Sequence, residues 1–290
     1  MIAFGTAIGD PRAYRRHAEP GIAAVAEPQS PVITFMDAGG PGRTLNLILD
    51  EARRIADLEA LVLVEDHTEI TDPAFCARVR ELVADPQLAI AGCIGGSNFR
   101  GIAWWTGTVR GTPVRQRHHD AGGGERLAFD WGPPPGPPGE VEAVDGLLLV
   151  LSPWAVEHLR FDESLPSRYG VAIDLCRRAR AAGRTVFAAR LDVLTHRPLE
   201  PLQPEDQPEW VQAHIAAADR REDAGDPDSA AWKERARHAE ARREASRLHY
   251  YSTDLRYDAQ RLRMLRRVQW LPLGRLHSLA RRARDAARDL

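Results

Sequence analysis

A chain of 290 residues can bury a sizeable core, and a hydrophobic content of 43% is that of a soluble globular protein. A formal net charge of −2 leaves no overall electrostatic footprint for nucleic acid, so none is expected as a partner. Three widely spaced cysteines, Cys76, Cys93 and Cys176, exclude a disulfide framework and a Cys-x-x-Cys metal site.

In chain order, Ile2 to Thr6 is a short apolar run, and Gly9-Asp10-Pro11 then reads as a turn and helix start. Pro31 to Met36 predicts a buried strand, Leu45 to Ile55 a helix, and Ala60 to Val64 another buried strand. Asp72-Pro73 opens a helix to about Val83, and Leu88 to Ile94 predicts a fourth strand. This alternation implies a mostly parallel sheet with helices on both faces, whose ligands bind beyond the carboxyl ends of the strands. Residues 101–140, with Trp104-Trp105 and many glycines, read as antiparallel excursions, ended by a stiff proline-rich connector from Gly132 to Gly139. Gly146 to Leu151 is again strand-like. Helices are expected near Pro153 to Leu159 and Arg168 to Ala182, then strands at Thr185 to Ala188 and Leu191 to Leu194. After Pro198 a proline- and acid-rich linker leads into an almost wholly helical pattern. The expected domains are therefore 1–198 and a helical extension, 199–290. The cysteines sit in apolar runs, the N-terminus has no basic start or long apolar stretch, and no run nears the roughly 20 residues that span a bilayer. A cytoplasmic protein is expected.

The chemistry-bearing residues cluster at predicted strand ends. Glu65, Asp66 and His67 follow a buried strand, and all three side chains can ligate a divalent cation. Carboxylate oxygens suit Mg²⁺ or Mn²⁺, and an imidazole nitrogen favours Mn²⁺. Taken alone, the loop reads rather as a solvated acidic turn, since acidic loops are common; its company at neighbouring strand ends favours the ligand reading. Asp37 ends the PVITFM strand, before Gly39, Gly40 and Gly42, and Arg43 and Asn46 open the next helix. A carboxylate there can meet a ribose or pyrimidine, or simply cap the helix. His196 ends the last strand, where it can complete a metal site or be a lone surface histidine, and Arg197 can meet phosphate. His118-His119-Asp120, before a run of glycines, reads as a loop tip rather than a metal site.

Together these segments resemble family-2 glycosyltransferases of the GT-A fold, in the branch named after a streptomycin-biosynthesis protein. The resemblance covers about residues 1 to 198. It is carried by IAFGTAIGDP, NLILDEA, LEALVLVEDHTEITDPAF, AWWTG, VEAVDGLLLVLSPWAVEHLRFDESL, and the run from Tyr169 through IDLCRRARAAGRTV to LTHRP. It implies a Rossmann-like α/β domain that holds a nucleotide-sugar donor with Mn²⁺ or Mg²⁺ and passes the sugar to an acceptor: another sugar, a polysaccharide, a lipid or a metabolite. By the resemblance, Asp37 would touch the nucleoside, and Glu65 to His67 would stand at the metal-binding acidic motif. Asp145-Gly146 would lie beside donor sugar and acceptor, and His196 would be the later metal or diphosphate contact. Two departures stand out. Asp66-His67 occupies the place of an acidic pair. Ala172, in Val171-Ala172-Ile173-Asp174-Leu175, occupies the place of the general base that takes the acceptor's proton. Asp162, Glu163 and Asp174 are the candidate substitutes.

The expected activity is inverting, metal-assisted sugar transfer. The alternative is a degenerate GT-A domain that binds nucleotide-sugar or scaffolds partner enzymes. A nucleotidyltransferase fits less well, because no glycine-rich basic phosphate loop opens the chain. Between Arg261 and Arg288 stand nine arginines against Asp285, with Val268, Trp270, Leu271, Leu273, Leu276 and Leu279 as an apolar side. Such a helix can lie on an anionic membrane, here the inner face, or pack on the domain with its arginines outward.

Overall fold

Residues 1–118, 124–128, 134–165, 168–196, 206–219, 238 and 241 are described by the structure, a computed structural model. Strand β1 (Ile2–Ile8) ends at Gly9, and Asp10 starts the helical segment as expected: its Oδ1 accepts from Arg12 N (2.8 Å) and Ala13 N (3.3 Å), with Pro11 in the first turn. The segment runs through α1 (Pro11–Ala13), a π-helical turn at Tyr14–Ala18 and α2 (Glu19–Val25). β2 (Val32–Met36) and α3 (Pro41–Ala52) follow, then β3 (Ala60–Val64) and β4 (Thr68–Ile70). Asp72 Oδ1 accepts from Ala74 N (2.9 Å), and α4 (Phe75–Val83) begins just after it. The expected fourth strand divides at Cys93 into β5 (Leu88–Gly92) and β6 (Ile94–Ser97).

The region expected to be antiparallel is so: β7 (Thr108–Gly111) pairs with β6, and β8 (Arg115–His118) with β9 (Gly124–Leu127). His119 and Asp120 lie outside the described residues. Short strands β10 (Gly139–Glu140) and β11 (Ala143–Val144) precede β12 (Leu148–Leu151) and α5 (Pro153–His158), which Ser152 caps through Ala155 N. The chain continues as α6 (Val171–Ala181), β13 (Thr185–Ala188), β14 (Val193–Thr195) and α7 (Asp206–Asp219).

The main sheet has the order β10-β13-β5-β12-β3-β1-β2. β1 pairs parallel with β2 and β3, and β5 pairs parallel with β13. β12 runs antiparallel between β3 and β5. The result is the expected class, an α/β domain with a mostly parallel sheet flanked by helices. The inserted antiparallel strand could not be read from βαβ alternation, because its partners lie far away in sequence. β6 leaves this sheet at Cys93 to join β11 and β7, which is why one apolar run became two strands.

One strand differs from its expected burial. β2 is the sheet edge, and alternate residues face outward, with Val32 47% and Met36 62% exposed. The core lies instead between the central strands and the helices: β3 and β5 are buried along their whole length. α3 crosses β1 so closely that a Cβ at Gly5 would stand 2.5 Å from Ile48 Cγ2. All three thiols are free and buried, as expected, and burial pushes Cys93 and Cys176 up to about 12. No helix of the described residues is long and apolar enough to cross a membrane.

Candidate functional site

β1, β2 and β3 run parallel, so their carboxyl ends open on one side of the sheet, and there a cavity of about 740 Å³ lies. Its lining includes Gly9 and Asp10 after β1, Asp37 after β2, and Glu65, Asp66 and His67 after β3. Asp145 and Gly146, leading into β12, and Ala172, in the first turn of α6, complete that side. Three separate loops thus bring the expected residues to one place.

Asp37, Asp66 and Asp145 each accept from backbone donors. Asp37 Oδ1 accepts from Gly39 N (3.1 Å) and Gly40 N (2.9 Å), and these bonds, the one from Gly40 foremost, lower its pKa. Gly39 and Gly40 have φ of +98° and +122°, which explains why glycines stand in this turn. Asp66 is 6% exposed; its Oδ2 accepts from Gly9 N (2.9 Å) and Asp10 N (2.7 Å), tying the β3 loop to the β1 loop. Its Oδ1 stands 3.6 Å from His67 Nε2. Asp145 accepts from the Trp104 indole (3.1 Å) through Oδ2 and from Leu147 N (3.0 Å) through Oδ1. A Cβ at Gly146 would lie 3.5 Å from Ala172 Cβ, so the missing side chain at 146 and the small one at 172 leave open space together.

Other expected residues stand outside the cavity lining. Asn46 is a buried clamp: Nδ2 donates to Phe161 O (3.1 Å) and Glu163 Oε1 (2.8 Å), while Oδ1 accepts from Phe161 N (2.9 Å). Glu163 is therefore held by that clamp. Asp174 is 7% exposed and paired with Arg178 Nε at 2.6 Å, one helical turn on, and Arg178 also reaches Asp162 at 3.2 Å. Arg43 does not line the cavity either. His196 is 5% exposed, its Nε2 is 2.7 Å from Glu69 Oε2, and its ring stacks on His17 with centroids 3.7 Å apart. Its backbone N–H donates to His67 O (2.8 Å). Arg197 lies outside the described residues, as does the basic tail from 261 to 288. Among the described residues no three His, Cys, Asp or Glu side chains are grouped to hold a metal ion.

The cavity lining is also aromatic and cationic, with Trp104, Trp105, Arg168 and Tyr169. Arg168 lies over the Tyr169 ring at 5.5 Å. α7, within the expected extension, adds Glu209 and Trp210. Trp210 is 2% exposed and shares the hydrophobic core, its ring 6.4 Å from that of Trp105. The sequence marked the Trp pair as a feature of the antiparallel region and of a matching segment, and Tyr169 only as part of a matching segment. Nothing local marked Arg168 or Glu209, whose placement depends on how distant helices dock.

No family model matches the chain. The streptomycin biosynthesis protein StrF of Streptomyces griseus is 31% identical over 202 residues, which cover 68% of this chain. The match spans 66% of that relative's own length. Among solved structures, the mannosyltransferase PcManGT from Pyrobaculum calidifontis, in complex with GDP-Man and Mn²⁺, is similar at TM-score 0.46 and 12% identity, over 99% of this chain and 80% of that one. TarS 1-349 from S. aureus is similar at TM-score 0.40 and 12% identity, over 75% and 66%. At such identities and TM-scores, what those proteins bind says nothing about this chain. The resemblance read from the sequence, to the branch named after a streptomycin-biosynthesis protein, agrees with the Streptomyces griseus relative: the chain is similar to StrF over 202 residues.

Proposed function

We propose that this StrF-like protein is a glycosyltransferase that moves a sugar from a nucleotide-sugar donor to a hydroxyl of an acceptor, with inversion and with help from Mn²⁺ or Mg²⁺. The observation that carries the reading is the cavity at the carboxyl ends of β1, β2 and β3. It unites Asp37, the Glu65-Asp66-His67 loop and Asp145-Gly146, which come from three distant stretches of chain. A volume of about 740 Å³ suits a ligand of nucleotide-sugar size.

In this reading Asp37 meets the ribose or base. Its fixed orientation on two backbone N–H groups leaves Oδ2 for a ligand hydroxyl. Arg168 and the N-terminus of α6, which no side chain caps, favour the negative diphosphate. Asp66 Oδ1 and His67 Nε2 form a two-donor set that suits Mn²⁺, with Glu65 beside them. Such hard cations are commonly held by one or two protein ligands plus substrate phosphates and water. The ion would neutralise charge developing on the leaving diphosphate. Because no three side-chain ligands stand together among the described residues, the ion and the nucleotide should bind together rather than separately. Asp145, oriented by the Trp104 indole, lies where donor sugar and acceptor meet.

A second reading, a non-catalytic domain that binds nucleotide-sugar or scaffolds partners, is favoured by Ala172 at the base position. The engagement of Asp162, Glu163 and Asp174 away from the cavity also favours it. Incubation with a panel of uridine, guanosine and thymidine diphosphate sugars and Mn²⁺ separates the two. Release of nucleoside diphosphate supports the enzyme; binding without release supports the second reading. The division into a 1–198 domain and a helical 199–290 extension remains part of the proposal, with α7 as the piece of the extension that reaches the site. Peripheral contact of the basic tail with an anionic membrane is likewise proposed.

A further inference from the structure

The sugar-transfer reading, on which this inference rests, leaves the acceptor's proton without a taker, since Ala172 has no basic atom. The cavity carboxylates differ in what already occupies them. Asp10 caps α1 through Arg12 N and Ala13 N. Asp37 holds Gly39 N and Gly40 N, and Asp66 holds Gly9 N and Asp10 N. Asp145 holds the Trp104 indole and Leu147 N. Glu65 belongs, with Asp66 and His67, to the loop after β3, which the sugar-transfer reading gives to the metal and diphosphate. Glu209 alone among these is exposed at the cavity with no hydrogen bond or ion pair to another described residue. Among the described residues nothing engages its lone pairs, whereas those of Asp10, Asp37, Asp66 and Asp145 are partly taken by N–H donors.

The position of Glu209 is set by a built interface. The neighbouring Trp210 is 2% exposed, lies against Trp105 and stacks on His214 at 4.9 Å. The His214 ring covers Gly101, which has φ +56° and where a Cβ would be 2.6 Å from the ring. Arg177 ties the same two segments together, donating to Ala217 O (2.8 Å) and Gly101 O (2.7 Å). Helix α7 is thereby fixed on the domain, with Glu209 on the cavity rim beside an indole wall.

We propose that Glu209 is the catalytic carboxylate on the acceptor side. The acceptor O–H proton passes to a Glu209 carboxylate oxygen as the acceptor oxygen bonds to the anomeric carbon. The bond from that carbon to the phosphate oxygen breaks, and its electron pair leaves with the nucleoside diphosphate. The half-buried indole of Trp105, backed by Trp210, offers the acceptor an apolar face, which suits the C–H face of a sugar ring.

The test compares full-length wild type and Glu209→Gln, both with Mn²⁺ and the same panel of uridine, guanosine and thymidine diphosphate sugars, water and simple sugars serving as acceptors. Nucleoside diphosphate release is followed against pH, and uridine diphosphate binding by calorimetry. The expected result is a kcat lower by about 10²–10⁴, an unchanged affinity for uridine diphosphate, and loss of the acidic limb of the pH–rate profile. A Glu209→Gln enzyme with wild-type rate and pH profile overturns the role of Glu209 and leaves the sugar-transfer reading intact. A parallel loss of rate and nucleotide affinity also overturns the role. A wild type that binds uridine diphosphate but releases none from any donor overturns both.

Discussion

Replacing Asp66 by alanine should cost both fold stability and ligand binding, and the two can be separated. Asp66 Oδ2 accepts two backbone N–H bonds, from Gly9 at 2.9 Å and Asp10 at 2.7 Å, which join the loops after β3 and β1. A hydrogen bond to a charged group contributes about 1.5–3 kcal/mol when made inside the protein. Gly9 and Asp10 are exposed, so their freed N–H groups regain water, and the lower end applies to each bond. Asp66→Ala should therefore destabilise by about 3 kcal/mol. Asp66→Asn keeps an oxygen that can accept both bonds as neutral ones and should lose only about 1–2 kcal/mol. Both variants lack the anionic Oδ1 beside His67, so both should bind uridine diphosphate with Mn²⁺ at least tenfold more weakly, about 1.4 kcal/mol. Urea unfolding reads the first effect, and calorimetry at a temperature where each variant is folded reads the second. If Asp66→Ala unfolds at the wild-type urea midpoint, the loop-tying account is wrong. If Asp66→Asn binds as wild type does, the metal account is wrong.

His214 is 3% exposed, its Nδ1 has no hydrogen-bond partner among the described residues, and burial foremost, with Arg177 nearby, depresses its pKa to about 4. The unfolded chain protonates near 6.5 and the folded one does not, so stability is full above that pH. It falls by up to about 3 kcal/mol as pH drops from 6.5 towards 4. His214→Phe, which keeps a ring against Trp210 and Gly101, should remove most of that dependence in melting curves between pH 7 and 5; an unchanged slope would refute it. Ala172→Asp should restore roughly tenfold of the rate lost in a Glu209→Gln background, with donor affinity within about twofold, because position 172 faces the same cavity. No recovery there would mean that position 172 does not face the acceptor hydroxyl. The basic tail should carry full-length protein onto anionic vesicles at low salt and release it as salt rises; protein that stays in the supernatant with anionic vesicles at low salt contradicts the membrane contact.

The fold was legible where its signals are local. Ala60 to Val64 and Thr185 to Ala188 are apolar runs whose observed strands have the same ends as the expected ones. The Asp10-Pro11 start and the Ser152 cap are likewise written in adjacent residues. What depends on distant pairing was not legible. Val32 to Met36 looks buried by composition, yet its place at the sheet edge follows from which strands find it, not from its own residues. The splitting of Leu88 to Ile94 at Cys93 follows from the competing sheet formed by β11 and β7. The same distinction holds at the site. Strand ends marked Asp37 and Glu65 to His67 as cavity residues, because parallel strands deliver their carboxyl ends together. The engagement of Asn46 with Glu163 needed the packing of α3 against a segment more than 100 residues on, whereas the Asp174–Arg178 pair is a local contact one turn apart within α6. Glu209 and Trp210 needed the docking of α7 on Gly101, a contact more than 100 residues away in sequence that a single glycine does not announce.

The most direct test of the central claim is a crystal structure of the full chain soaked with uridine diphosphate and Mn²⁺. The account predicts nucleotide in the cavity at the ends of β1, β2 and β3, its ribose or base against Asp37. The ion should lie between the diphosphate and Asp66, with His67 at hand. Nucleotide bound elsewhere, or a cavity that stays empty at millimolar nucleotide and metal, would contradict it.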